Sequence, residues 1–177
     1  GRCHERRGSN EAEESTTYAN RAEAERVLHL IRDALLETSQ AAGTATEKMG
    51  KTSIGVITPY SGQVQLIQRM IQDDEIIQKH ADNASIEVKS VDGYQGRERD
   101  IIIFSAVRSN HRNKVGFLSD WRRLNVALTR AKNGLIVVGD LETLSSGDKN
   151  WAAFAKWCDG MGCIFDGEGV RSKVHKL

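Results

Sequence analysis

Val88-Lys89-Ser90-Val91-Asp92-Gly93-Tyr94-Gln95-Gly96-Arg97-Glu98-Arg99-Asp100 runs straight into Ile101-Ile102-Ile103-Phe104-Ser105. The segment is a short lead-in, a polar turn containing Gly93 and Gly96, and an unbroken apolar run. An apolar run of this length, β-branched and bounded by turn residues, predicts a strand buried on both faces of a parallel sheet. The turn before it then sits at the rim of an α/β sheet, where ligand sites collect. Downstream lies its partner segment, Asp120-Trp121-Arg122-Arg123-Leu124-Asn125-Val126-Ala127-Leu128-Thr129-Arg130-Ala131-Lys132. Together the two segments read as a device for sensing the phosphates of a nucleotide.

The 177 residues suit one domain with a proper core. A formal net charge of +1 and a pI near 7.9 exclude a strongly basic body, so any grip on nucleic acid must rest on a local patch. The cysteines, Cys3, Cys158 and Cys163, are odd in number and form no CxxC pair. His4 follows Cys3 at a spacing that fits no common zinc pattern, and no metal site is expected. Reduced thiols suit an intracellular setting, nucleus or cytoplasm. No apolar run approaches the roughly 20 residues of a membrane span, and the N-terminus lacks a signal-peptide core. The expectation is a soluble, non-secreted domain with no membrane partner.

Residues 1–17 are polar and charged, a flexible tail or the stump of a longer chain, and 167–177 form a C-terminal tail. The domain itself is expected over 18–166. Asn20 followed by Glu23 resembles a capping box. Ala24, Val27, Leu28, Ile31 and Leu35 then recur at helical spacing, which predicts a helix to about Thr38. Gln40 to Lys51 reads as a loop. Ser53 to Ile57 reads as a strand ending in Thr58-Pro59-Tyr60, and Ser61 is placed to cap a helix carried by Val64, Ile67, Met70 and Ile71. Asp73 to Ser85 reads as a charged connector, with Asp73-Asp74-Glu75 a solvated face rather than a magnesium site. Ile86 to Ser90 is a short strand, and Arg108 to Lys114 is a basic loop.

Asp120 is expected to cap a helix from Trp121 to about Ala131, with Trp121, Leu124, Leu128 and Ala131 as its core stripe. Arg123, Ala127 and Arg130 form a second stripe beside it. Leu135 to Val138 reads as another buried strand, then come helices around Leu141 to Leu144 and Trp151 to Trp157, and a last strand near Cys163 to Phe165. Trp151, Phe154 and Trp157 are taken as core. Helices alternating with buried strands give an α/β fold, a three-layer α/β/α domain with a mainly parallel sheet.

Ala45-Thr46-Glu47-Lys48-Met49-Gly50-Lys51-Thr52 nearly spells a phosphate-binding P-loop. Such a loop needs a strand before it and a helix opening at the Lys-Thr pair, so that helix N-terminal amides meet the phosphate. Here a helix precedes and a strand follows, so the stretch reads as a plain loop.

In the turn, Gly93 and Gly96 let backbone amides approach an anion, and Gln95 adds an amide side chain. Glu98, an acceptor-only group at a strand start, suits a pair of ribose hydroxyls. On the residues alone a second reading stands beside this one, a tight turn whose Arg97, Glu98, Arg99 and Asp100 merely pair on the surface. Arg130 likewise has two readings. It is an arginine finger, which must be rigidly held, permanently charged and able to reach phosphoryl oxygens; or it is a structural ion pair to Glu98 or Asp100. Arg123 suits a supporting part. No Ser-His-Asp or Cys-His set presents itself.

These residues also resemble a known family. Ile57-Thr58-Pro59-Tyr60-Ser61-Gly62-Gln63 is similar to motif IV of superfamily-one helicases, Ser90 to Glu98 to motif V, and Arg122 to Lys132 to motif VI. The flavour resembles the 5′-to-3′ branch of nonsense-transcript regulators and senataxin-like helicases, and Asn20-Arg21-Ala22-Glu23-Ala24-Glu25 is similar to that branch's opening helix. The resemblance covers residues 18 to 165. It implies a RecA-like, P-loop NTPase-type domain, the second of a two-domain motor. It puts Arg130 on the γ-phosphate as the catalytic group, Glu98 on the ribose, and Gly96, Arg97 and Arg123 on the nucleotide side. It puts Thr58, Pro59, Tyr60, Gln63, Ser90, Asp92 and Gln95 on single-stranded RNA or DNA. The basic loop, through Arg108 and Asn110, either extends that grip or is a solvated connector.

No credible P-loop lysine, Walker aspartate or motif III glutamine is present, nor the Gln-Tyr-Arg-Met stretch that normally precedes such a domain. The chain reads as cut just after that stretch. ATP and Mg²⁺ would then bind mainly to the first RecA-like domain of the same protein, and this piece alone would neither hydrolyse ATP nor unwind a duplex. RNA-processing or decay factors are the expected protein partners. One rival is a catalytically silent helicase-like module that binds nucleic acid or protein. The other is a Rossmann-like metabolic enzyme, which would need a glycine fingerprint where Thr58-Pro59-Tyr60 stands.

Overall fold

The structure, a computed structural model, describes residues 18–42, 51–82 and 84–166, with backbone alone for 38–42. The flexible tails expected at 1–17 and 167–177, and most of the P-loop-like stretch, lie outside the described residues. The elements in chain order are α1 (Arg21–Ala42), β1 (Thr52–Thr58), α2 (Ser61–Gln72), α3 (Glu75–Lys79), β2 (Ala84–Ser90), β3 (Arg99–Ser105), α4 (Trp121–Leu128), β4 (Ala131–Val138), α5 (Leu141–Gly147) and α6 (Lys149–Gly160). The four strands form one all-parallel sheet in the order β2-β1-β3-β4. This is the three-layer α/β RecA-like arrangement expected from the sequence.

Side chains alternate across the pleat, so the two central strands supply two cores. Ile54, Val56 and Ile103 pack against α1, α2 and α3 through Val27, Ile31, Leu35, Ile67 and Ile77. Ile57, Ile102 and Phe104 point the other way, into Tyr94, Leu118, Leu124, Leu144 and Trp151. The β2–β3 connection is only residues 91–98. It leaves the C-terminal end of the sheet at Ser90, which pairs with Thr58, and returns at the N-terminal end, crossing β1 on the way. Gly55 permits that crossing: a Cβ there would lie 2.0 Å from the Tyr94 hydroxyl and 2.7 Å from Ile102 Cδ1.

Several boundaries differ from the sequence reading. α1 continues to Ala42, into the stretch read as loop. The supposed connector holds α3, started by Asp74, whose side chain accepts from the Ile77 N–H at 2.9 Å and is fastened by the Arg32 guanidinium. Tyr60, not Ser61, occupies the cap position of α2, and it caps with no side-chain bond. β4 is an edge strand with Ile136 exposed, not a buried strand. Phe165 makes only an isolated bridge rather than a strand. Trp121 and Trp157, expected in the core, are about three-fifths exposed (58% and 62%), while Trp151 is buried with its indole N–H on the Leu118 carbonyl. Among the described residues no helix is long and apolar enough to cross a membrane and no His, Cys, Asp or Glu cluster could hold a metal.

Candidate functional site

α4 ends at Leu128, earlier than the apolar periodicity suggests, and this decides how Arg130 is held. Thr129 caps the helix and turns its hydroxyl back onto the Asn125 carbonyl at 2.7 Å. Arg130 follows outside the helix, immediately before β4. Its Nε donates to the Val126 carbonyl at 2.9 Å and its Nη2 to Thr129 Oγ1 at 2.9 Å. A guanidinium folded onto the last carbonyls of a helix sits at the negative end of the helix dipole, which fixes it as well as a helical position would. The ion pair to Glu98 or Asp100 is not formed. Asp100 instead accepts from the hydroxyl and amide of Ser53 at 2.6 and 2.9 Å, bonds that hold its carboxyl below the usual range.

The ladder joining β3 to β4 brings the two halves of this edge together. The Arg99 N–H donates to the Arg130 carbonyl at 3.2 Å, and Arg99 pairs with Ala131. Ile101 pairs with Gly134, so β4 takes an extra residue beside the site, a bulge of the kind that re-aims side chains at sheet rims. Glu98 is exposed beside Arg130; its carbonyl accepts from Arg99 Nη1 at 2.8 Å, but its carboxylate makes no hydrogen bond or ion pair among the described residues. Gly96 adopts φ +75, which glycine tolerates, and its exposed amide has no acceptor among those residues. The Gly93 amide is not free for an anion, because it donates to Ser90 Oγ at 3.2 Å. Arg97 is directed away: it and Arg99 each take one oxygen of Glu87, both at 2.6 Å. The surface-pairing reading of the turn therefore holds for Arg97, Arg99 and Asp100 but not for Glu98.

The opposite, C-terminal edge carries Thr58 and Ser90, paired in register, followed by Pro59 and Tyr60 on one side and Asp92 on the other. Asp92 lies 3.5 Å from Arg123, whose guanidinium also covers the Phe117 ring at 4.9 Å. Asp92, Gln95, Arg122, Arg123 and Val126 line an open pocket of about 160 Å³, so the two segments that opened the sequence reading do meet. Arg123 belongs to this pocket, not to the Glu98–Arg130 edge.

Other side chains expected to touch nucleic acid point inward. Tyr60 is buried, edge-on between Tyr18 and Phe117. Gln63 is buried, exchanging bonds with the Asn20 backbone at 2.8 and 3.1 Å and donating to Ser105 Oγ at 3.1 Å. Thr58 is buried with its hydroxyl unpartnered. Arg108 is 6% exposed, laid over the Tyr18 ring at 4.3 Å with Nε on the Lys114 carbonyl. Asn110 closes the same loop, its amide bonding both the N–H and the carbonyl of Lys114. The side chains of Tyr60, Gln63 and Arg108 are engaged within the protein and shape the edge.

Sequence reasoning missed Glu87, the clamp of the turn, and Glu23. Only half of the capping box forms: the Glu23 N–H donates to Asn20 Oδ1 at 3.2 Å, while the Asn20 N–H donates to Gln63 Oε1 rather than to Glu23. Yet the Glu23 carboxyl is buried, accepting from Ser105 Oγ and the Val107 N–H, both at 2.8 Å. Burial pushes its carboxyl up to about 8, against the hydrogen bonds that favour the charged form. The available signal was position: Glu23 falls one helical turn before Val27, on the buried stripe.

A family profile described as an AAA domain (AAA_12) matches residues 2–142. The chain is 46% identical over 110 residues to the DNA polymerase alpha-associated DNA helicase A of Saccharomyces cerevisiae, covering 62% of this chain and 15% of that protein. It is 44% identical over 131 residues to the regulator of nonsense transcripts 1 homolog of Neurospora crassa, covering 73% of this chain and 11% of that protein. To helicase sen1 of Schizosaccharomyces pombe it is 45% identical over 95 residues, 54% of this chain and 6% of that protein. The chain thus spans a small part of the length of each relative.

Proposed function

Because the chain belongs to the AAA-domain (AAA_12) family of superfamily-one helicases related to the nonsense-transcript regulators and sen1, we propose that residues 18–166 are the second RecA-like lobe of an ATP-dependent motor. The motor moves along single-stranded RNA or DNA. One observation supports this above the rest. Glu98 and Arg130 lie together at one edge of the sheet, while Thr58, Ser90 and the loop from Arg108 lie at the other. A motor lobe needs two such edges, one for the fuel and one for the track.

The nucleotide edge fits ATP by its chemistry. The unpartnered Glu98 carboxylate accepts from paired hydroxyls, and the fixed Arg130 guanidinium offers its remaining donors to phosphoryl oxygens. ATP with Mg²⁺ supplies the phosphoanhydride that is cleaved, and the first RecA-like lobe of the same protein supplies the metal site and most phosphate contacts. Arg130 completes the site when the lobes close, a contribution of about 10³ to 10⁵ in rate for an arginine finger. Opening and closing move the strand-binding edge relative to the other lobe, so the chain steps. The P-loop-like stretch has no part in this, since β1 starts directly at Thr52 where a P-loop would open a helix. Its place of work is the nucleus or cytoplasm, beside RNA-processing or decay factors.

The test is ATP turnover by the full-length protein with and without a single-stranded RNA or DNA oligonucleotide. Strand-stimulated turnover is expected. No turnover on either strand would replace the motor reading with that of a silent binding module.

A further inference from the structure

We propose that the loop at 106–115, between β3 and the 3₁₀ turn Gly116–Ser119, is a preformed platform for the phosphodiester backbone of a single strand. Arg112 and Lys114 grip it, and Glu23, acting through Val107, holds its shape. The inference rests on the motor reading and deepens it by naming the gripping residues and the residue that positions them.

The starting observation is Val107, a β-branched residue at φ 70, in the left-handed region that such side chains rarely adopt. It is fully buried and held from both sides. Its N–H donates to Glu23 Oε2 at 2.8 Å, and its carbonyl accepts from Asn20 Nδ2 at 3.1 Å. The same Glu23 oxygen accepts from Ser105 Oγ at 2.8 Å, so one carboxylate clamps the chain on both sides of the point where it leaves the sheet. Strained backbone persists only where its surroundings over-determine it, and such places cluster at ligand clamps.

What the kink produces is a loop braced throughout. It turns the Arg108 side chain inward onto Tyr18 and the Lys114 carbonyl. Asn110 closes the loop on Lys114, and its own N–H donates to Thr143 Oγ1 at 3.1 Å. α5 approaches so closely that a Cβ at Gly147 would lie 2.3 Å from the Asn113 carbonyl. A solvated connector requires none of this. Arg112 and Lys114 remain, both exposed, with no side-chain ion pair or hydrogen bond among the described residues. Residues 108–114 contain no carboxylate, and nearby Asp140 is occupied by Ser109 Oγ at 2.7 Å. Two cations on a rigid backbone, at the edge that also carries Thr58 and Ser90, match the repeating charge of a nucleic-acid strand.

The test uses the full-length protein and fluorescent U20 and dT20 oligonucleotides, with affinity read by anisotropy across a salt titration. The Arg112→Ala/Lys114→Ala variant should bind about tenfold more weakly, with its salt slope reduced by about 1.4, or ~0.7 per lost contact on a single strand. Glu23→Ala should weaken binding several-fold, and adding Val107→Gly should restore most of it, because glycine takes the same φ without strain. Wild-type affinity and slope in the double surface variant would overturn the platform. A Glu23→Ala protein that melts earlier yet binds normally, or that Val107→Gly does not rescue, would overturn the positioning role. Wild-type protein that binds neither oligonucleotide would instead remove the motor reading beneath both.

Discussion

The backbone N–H of Arg99 donates to the carbonyl of Arg130 at 3.2 Å, and this bond makes Glu98 and Arg130 neighbours although they immediately precede different strands. A carboxylate suited to hydroxyls and a cation suited to phosphate are thereby held on one rigid edge. Each sits one residue before a paired strand, which positions it as a site completed by closure of two lobes requires.

The crossing of β1 by residues 91–98 depends on Gly55. Gly55→Ala drives a methyl into Tyr94 and Ile102, and overpacking of this kind costs about 1–3 kcal/mol. Urea unfolding should report a lowered midpoint, and Gly55→Val a larger loss than Gly55→Ala.

Glu87 holds Arg97 and Arg99 at once. Glu87→Ala should cost about 1–3 kcal/mol, chiefly through the half-buried Arg99, since the exposed Arg97 pair is screened. Unfolding at low and high salt separates the two: most of the loss should survive 1 M salt.

The pH dependence has two limbs. Burial raises Glu23 from 4.5 to about 8, so the folded state holds a proton there that the unfolded chain has released. Stability is greatest below pH 4.5 on this account and is lost as pH rises toward 8, by up to about 1.4 kcal/mol per unit. Asp74, Asp100 and Asp140 act oppositely. Burial raises Asp74 and Asp140, but Arg32 outweighs it for the first and Ser109 with Thr143 for the second, while Ser53 lowers Asp100. Their contribution is present above pH 3.8 and lost below it. Glu23→Gln should flatten the limb from pH 4.5 to 8 and leave the acid limb in place, as followed by denaturation against pH.

The 177-residue chain by itself should not hydrolyse ATP, because its sequence offers no P-loop lysine preceded by a strand and followed by a helix. Phosphate release by the purified chain should stay at background with or without oligonucleotide.

The fold was legible because β1 and β3 are continuous apolar runs and α1 carries a clean helical stripe. Both are signals of burial that neighbours do not alter. The end of α4 was not legible, since Ala131 continues the apolar spacing while Thr129 and Arg130 close the helix with their own side chains. α3 was hidden by its five-residue length and dense charge. In the site, the turn and Arg130 could be picked out by residue type. The inward course of Tyr60, Gln63 and Arg108 could not, because a polar side chain reads as surface until its buried partners are known. Glu23 was signalled only by its place one turn before Val27, and the strain at Val107 by nothing in the sequence, because the clamp exists only once α1 and the end of β3 meet.

The most direct test of the central claim is steady-state ATP turnover by the full-length protein saturated with single-stranded RNA, comparing wild type with Arg130→Ala, Arg130→Lys and Glu98→Ala. Arg130→Ala should lower kcat by about 10³ or more with nucleotide binding retained, and lysine should not replace the planar fork. Glu98→Ala should mainly raise KM for ATP. Equal turnover in wild type and Arg130→Ala would contradict the account and leave Arg130 as the closing residue of α4 and nothing more.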